Sequence, residues 1–392
     1  MTDHAQARPR LPAAALVVVA ALAAQIATML PVFLLGTMFP LIAREVGLSL
    51  SSLGQAAATF FAASACGSLL LASASDRLGP WTVARSALAI TAALCLVLPL
   101  TGGIAPLAAA MAVAGLANGA IQPATNVALS QHVPSGRQGL AFGMKQASVP
   151  LASLLAGLAV PLVALWFGWR AAFYGAALLP VVLIAVLPSG RGRSAAPRGG
   201  GARPAWSTGT LLALGGMSGL GAGSANAMAA YLVTATEAAG FALADAGLLV
   251  SLGSAVSIAA RIALGWAADR WRPPLLACVT ALMAGGALAY ALLAGSGSWG
   301  VMVLATCLAF GMGWGWAGLS ILAIVRANPG ATGRATGMVQ AGLFGGAVAG
   351  PLLFGHLAAH GGFALAWTAL AAAASVAVAI AAVLALRLER RE

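Results

Sequence analysis

Apolar residues run along this chain in long unbroken stretches, and polar residues interrupt them at nearly regular intervals. Twelve stretches stand out: near Leu11–Leu35, Leu50–Ser75, Trp81–Leu100, Ile104–Ser130, Leu140–Leu165, Arg170–Leu187, Thr208–Val233, Leu243–Ala268, Pro274–Leu293, Val301–Val325, Gly337–Leu357 and Gly362–Leu386. Each approaches or exceeds the roughly 20 residues that an α-helix needs to cross the hydrocarbon core of a bilayer. The runs are too long for strands of a membrane barrel and lack their alternation. The pattern predicts an all-α membrane protein of twelve transmembrane helices. The first stretch is too long, and its flank too weakly signal-like, for a cleaved signal peptide.

Composition strengthens this reading. The chain is 61% hydrophobic and only 7% charged, more apolar surface than a soluble domain of 392 residues can hide. Its 49 glycines suit close helix–helix approach in lipid.

The formal net charge of +12 sets orientation and does not point to nucleic acid. Arg8 and Arg10 precede the first stretch. Arg77, Arg85, Arg137, Arg191, Arg193, Arg198, Arg203, Arg270, Arg272, Arg326 and Arg334 fall in or beside the even-numbered loops, and Arg387, Arg390 and Arg391 in the tail. The odd-numbered loops carry Arg44 and Arg170. By the positive-inside rule, both termini and the even loops are cytoplasmic. Nineteen of the twenty basic residues are Arg, which singles out Lys145.

A short cassette occurs twice. Ala72-Ser73-Ala74-Ser75-Asp76-Arg77-Leu78-Gly79 returns 193 residues later as Gly265-Trp266-Ala267-Ala268-Asp269-Arg270-Trp271-Arg272. Gly143-Met144-Lys145-Gln146-Ala147 returns at an offset of 194 as Gly337-Met338-Val339-Gln340-Ala341. Two matches at nearly one offset mark a duplicated helical bundle, and so two pseudo-symmetric six-helix bundles. The Gly-, Pro- and Arg-rich stretch from Pro188 to Pro204 has no apolar period and reads as a cytoplasmic linker. The expected division is an N-terminal bundle at 1–188, a linker at 189–206 and a C-terminal bundle at 207–392.

With this layout and cassette, the chain resembles the major facilitator superfamily over nearly its whole length. The family's loop signature has Gly, an Asp-Arg pair, then Gly and basic residues between helices two and three, with a weaker copy between helices eight and nine. Here Ala72 replaces the leading Gly, and Pro80 and Trp81 stand where basic residues are usual; Gly265 restores the leading Gly in the second copy. Phe167-Gly168-Trp169-Arg170-Ala171-Ala172-Phe173 is also typical of the start of the family's helix six. The resemblance implies two bundles rocking around a site near the midplane. It assigns Asp76, Arg77, Asp269 and Arg270 to a cytoplasmic gate.

The substrate must be argued from charges within the spans, and these are Lys145 and Arg261. A basic residue at a span centre costs about 2.5–3.5 kcal/mol on insertion scales, so it faces a cavity or a partner. Monocarboxylate porters and the oxalate:formate type carry an arginine on helix eight at the spacing of Arg261, where it is thought to hold the substrate carboxylate. Bracing of the gate is the alternative for Arg261, and snorkelling to the interface the alternative for Lys145. Asn118, Gln122 and Asn126 follow at four-residue steps along one face of span four. Together with Gln146, Asn226, Gln340 and Trp314, they complete the candidate substrate-binding set; Trp316, two residues on, is a second aromatic candidate. Asn and Gln also serve to tie helix to helix.

Proton coupling is implied by the family, yet none of the eight acidic residues is mid-span, and Met111 stands where the family's helix-four arginine falls. Cys66, Cys95, Cys278 and Cys307 are dispersed, which excludes a C-x-x-C metal or redox motif. His356 and His360 have the spacing of a metal pair but lack a third ligand nearby in sequence. No phosphate-cradling G-x-x-x-x-G-K-[ST] run is present. The expectation is therefore a non-enzymatic secondary transporter in a bacterial inner membrane. It would work as a monomer without cofactor or metal, moving a small organic anion with protons. A hydrophobic-drug efflux pump and a transporter-like receptor are the alternatives. Efflux members often have a Gly-Pro element in helix five, where this chain has Val149-Pro150.

Overall fold

The computed structural model describes residues 11–71, 78–133, 144–187, 205–271, 273–295, 297–328 and 332–388. Among them there is no strand, and the helices follow the expected order. The N-terminal group comprises α1 (Leu11–Val46), α2 (Leu50–Leu70), α3 (Pro80–Val97), α4 (Ile104–His132), α5 (Met144–Phe167) and α6 (Trp169–Val186). The C-terminal group comprises α7 (Thr208–Ala238), α8 (Leu243–Trp271), α9 (Leu275–Ala294) and α10 (Trp299–Ile324). It ends in one helical run, Thr332–Leu388, kinked at Gly362 into α11 (332–361) and α12 (363–388). Nine of the described helical segments are long and apolar enough to cross a membrane, with α11 and α12 taken as one. Helices α2 and α7 are not among them; both are rich in Gly, Ser and Thr.

Capping hydroxyls start several helices. Ser49, Ser207 and Ser298 accept from the backbone N–H three residues on at 3.3, 3.2 and 3.4 Å, which satisfies a donor the helix leaves free. Helix α1 runs for 36 residues, about 54 Å at 1.5 Å each, so it extends well beyond the apolar stretch expected to end near Leu35. Its extension is held by burial, since Met38, Phe39 and Ile42 all sit in the core. Two helices are interrupted by π-turns, α5 at Val160–Ala164 and α10 at Ala309–Gly313. Such irregularities recur at functional sites.

The two sides of the molecule differ in construction. The linker side is the one on which α2, α4, α6, α8 and α10 end. On the far side the helices are joined by tight turns at Gly47, Gly168, Gly240 and Gly362, whose φ values of 74°, 80°, 93° and 79° favour glycine. In the far half, one apolar core runs through both groups and includes Phe33, Phe60, Tyr231, Phe310 and Phe354. In the linker half there are two separate cores. One is built from N-terminal residues such as Trp81, Leu88 and Ile121, and the other from C-terminal residues such as Leu214, Val279 and Leu319.

The groups meet along α1–α7, α2–α11 and α5–α8. Two of these crossings are held close by glycine. A Cβ at Gly54 would collide with the Pro351 carbonyl, and one at Gly247 would lie 2.7 Å from the Gly157 carbonyl. The described structure is thus closed on the far side and divided on the linker side.

Candidate functional site

The α5–α8 crossing places Arg261 between the groups. Gly247, Ser251, Ser254, Ser257 and Arg261 recur along α8 at helical spacing. Gln146, Pro150, Ser153 and Gly157 do so along α5. Near the far side, the Ser251 hydroxyl donates to the Leu154 carbonyl at 3.2 Å. Towards the linker side, Arg261 Nη1 donates to the Gln146 carbonyl at 3.2 Å, and Nη2 donates to the Trp314 carbonyl at 2.8 Å. The first bond joins the two groups. The second reaches the short break between the π-turn of α10 and its continuation at Ala317.

The guanidinium lies 5.8 Å from the centroid of the Trp314 ring, an attraction worth about 0.5–2 kcal/mol. Trp314 in turn meets Phe310 edge-on at 5.5 Å and Phe33 of α1 at 6.1 Å. Arg261 Nε is buried and has no partner among the described residues. No described carboxylate pairs with Arg261. The acidic residues Glu45 and Glu237 are engaged on the far side.

Lys145 is the other interior cation, and its setting differs. It is 3% exposed. Its Nζ donates to the Gln122 carbonyl at 3.2 Å, to Gln122 Oε1 at 3.1 Å and to Asn126 Oδ1 at 2.6 Å. Three donors thus meet three neutral acceptors. All three belong to α4, so Lys145 ties α5 to its neighbour within one group.

Asn118 is likewise spent inside the N-terminal group. Its Oδ1 accepts from Gln25 at 2.8 Å and from Thr28 at 3.1 Å, and its Nδ2 donates to Ser64 at 3.1 Å. Asn226 donates to the Ala222 carbonyl of its own helix at 2.8 Å. Gln146 is exposed at its side chain and Gln340 partly buried. Trp316 turns into the C-terminal core, where its indole N–H donates to the Gly313 carbonyl at 3.0 Å and its ring fills the space over Gly221. Of the sequence candidates, the structure brings Arg261, Trp314 and the Gln146 backbone together. It pairs Lys145 with Gln122 and Asn118 with Gln25, Thr28 and Ser64, both apart from the Arg261 contacts. Asp76 and Arg77 lie outside the described residues, as does the side chain of Asp269; Arg270 is exposed in the last turn of α8.

Sequence reasoning missed the far-side contacts. Arg44, at the end of α1, is ion-paired with Glu237, at the end of α7. The Tyr231 hydroxyl donates to the Leu50 carbonyl across the groups at 2.8 Å. Within the N-terminal group, Trp169 and Arg170 both donate to Glu45 Oε2 at 2.8 Å, which gives the Phe167–Phe173 segment a structural task. One signal was available: Arg44 and Glu237 are 193 residues apart, the cassette offset, and carry opposite charges at equivalent helix ends.

The comparisons agree with this architecture. No curated protein matches the chain. Among solved structures, a bacterial homologue of the human lysosomal transporter Spinster, in an inward-facing and occupied conformation, superposes with a TM-score of 0.74 at 15% identity. That match covers 95% of this chain and 97% of the other. The same homologue in an inward-facing, unoccupied conformation gives 0.72 at 13% identity, covering 97% and 98%. A mutant of the nucleoside transporter NupG gives 0.74 at 14% identity, covering 93% and 99%. At these identities the likeness is one of fold. The family model for the Major Facilitator Superfamily matches residues 21–328 and again 211–392. By that match, supported by its all-helical fold, this chain belongs to the major facilitator superfamily of transporters.

Proposed function

We propose that this transporter moves a small, monocarboxylate-like organic anion and that Arg261 receives the carboxylate. The observation that carries this reading is a guanidinium between the two helix groups with a buried, unpartnered Nε–H and no described carboxylate beside it. Arginine suits the task because its planar fork binds carboxylates through two charge-assisted hydrogen bonds. Trp314, with Phe33 and Phe310 behind it, offers an aromatic wall to the rest of the anion.

Two bundles, 1–188 and 207–392, rock about this site across the linker at 189–206, and the division of the linker-half core supports such a motion. With both termini cytoplasmic in a bacterial inner membrane, the far side, closed in the state described here, faces outward. Two of the similar structures are inward-facing. The protein works as a monomer, and proton symport is carried over from the family. An imposed pH gradient across proteoliposomes tests the coupling: uptake that ignores the gradient removes it.

The site is tested by a thermal-shift screen of the purified protein against aliphatic and aromatic monocarboxylates, dicarboxylates and lipophilic cations. A ligand at about 100 times its dissociation constant adds roughly 2.7 kcal/mol. The expected result is stabilisation by a monocarboxylate that disappears in Arg261→Ala. Stabilisation by lipophilic cations alone replaces this reading with hydrophobic efflux.

A further inference from the structure

The bond between Arg261 and Gln146 falls four residues before a proline. In an α-helix the carbonyl of one residue accepts from the N–H four residues on. For Gln146 that residue is Pro150, which has no N–H. The neighbouring donor does not substitute for it, since Leu151 N–H donates to the Ala147 carbonyl at 3.1 Å. The Gln146 carbonyl is therefore left open by its own helix, and the donor it receives comes from α8 in the other group.

We propose that Pro150 is a positioning residue that makes Arg261 a latch between the two helix groups, and that a bound carboxylate releases this latch. The release rests on the anion reading given above; the latch itself does not. A guanidinium grips a carboxylate either end-on through both Nη groups or side-on through Nε and one Nη. End-on binding draws on both Nη groups, each of which already gives one of its two hydrogens to a carbonyl, so this is the mode that competes with the Gln146 bond.

A carboxylate carries a full negative charge where a carbonyl carries a partial one, and it can accept two parallel bonds from a guanidinium. A carboxylate held end-on therefore draws the guanidinium away from a neutral carbonyl. The Gln146 bond yields first: it is the longer, at 3.2 Å against 2.8 Å, and Trp314 belongs to the same group as Arg261. Ligand entry then cuts a cross-group bond in the linker half, where the two groups have separate cores.

The test restores the missing donor. Pro150→Ala gives position 150 an N–H that closes the helix onto Gln146, and Pro150→Gly does the same should the Ala variant fail to fold. Spin labels at Leu78 and Trp271, exposed on the linker side of the two groups, report the separation by pulsed electron resonance. They are placed in full-length protein whose four cysteines are replaced by alanine. Without any ligand, Pro150→Ala, Pro150→Gly and Arg261→Ala should all show a longer label separation than wild type. Benzoate, the probe anion, should lengthen the separation in wild type but not further in the proline variants. Its affinity for the proline variants should rise about 2- to 10-fold, the worth of one net hydrogen bond.

Wild-type separations in Pro150→Ala and Pro150→Gly would overturn the latch, whatever benzoate does. A separation that shifts in all three variants, with benzoate bound equally by wild type and Arg261→Ala, would overturn release by carboxylate and place the fault in the anion site instead.

Discussion

The α2–α11 and α5–α8 crossings are two versions of one contact. Gly54 and Gly247 are equivalent under the 193-residue offset, as are Gly157 and Gly350. On the far side the two crossings match closely: Gly54 packs on the Pro351 carbonyl and Gly247 on that of Gly157. Towards the linker side they part. The position matching Arg261 is Ser68, and Lys145 is matched by Val339. Duplication thus supplies the scaffold twice, while interior positive charge was installed once in each group. Of these two charges, one closes onto its own group and one reaches across. The site proposed above thus lies at the crossing that lost its symmetry.

The comparison can be broken most severely at Arg261. Arg261→Ala should weaken benzoate binding roughly 10- to 150-fold, the equivalent of about 1.5–3 kcal/mol for hydrogen bonds to a charged group, with the far side still closed. Titration calorimetry reads the loss, and the label separation reads the fold. The far-side symmetry is next. Gly54→Leu and Gly247→Leu should each penalise the closed far side by about 1–3 kcal/mol of overpacking. Unequal effects on alkylation of a cysteine placed at the far-side turns would show that the crossings are not mechanical equals.

Lys145→Met tests the charge that stays within its group. It strands Gln122 and Asn126 without a donor, so stability should fall by about 1–3 kcal/mol while benzoate affinity holds. A collapse of affinity in folded protein would return Lys145 to the binding set. The smallest effect belongs to Glu237→Gln. The Arg44–Glu237 pair is solvent-exposed, with side chains 64% and 22% accessible, and such pairs contribute about 0.2–1 kcal/mol. Melting in high salt should erase even that difference, because screening shortens to roughly 3 Å at 1 M.

Much of this was legible in the chain. Apolar run length announced the helices, because a bilayer imposes a fixed thickness. The twin cassettes announced the duplication. Arg261 stood out because a charge inside a span must be accounted for. Neutral partners were less legible. Asn118, Gln122 and Asn126 read as one stripe, yet each four-residue step turns about 40° around the helix. Asn118 therefore meets α1 and α2, while Asn126 meets Lys145 on α5. The Gln146 carbonyl was invisible for a different reason: its openness is a property of Pro150, and its occupant comes from a helix 115 residues away.

The glycine turns on the far side have a kinetic consequence. Gly47 and Gly240, like Gly168 and Gly362, join consecutive helices with almost no intervening chain. A gate made from a loop can swing in nanoseconds and leave the body at rest. Here there is no slack to swing: parting α5 from α8 drags α6 and α7 with it. Opening the far side should therefore be a collective step on the microsecond-to-millisecond scale, with whole helices moving together.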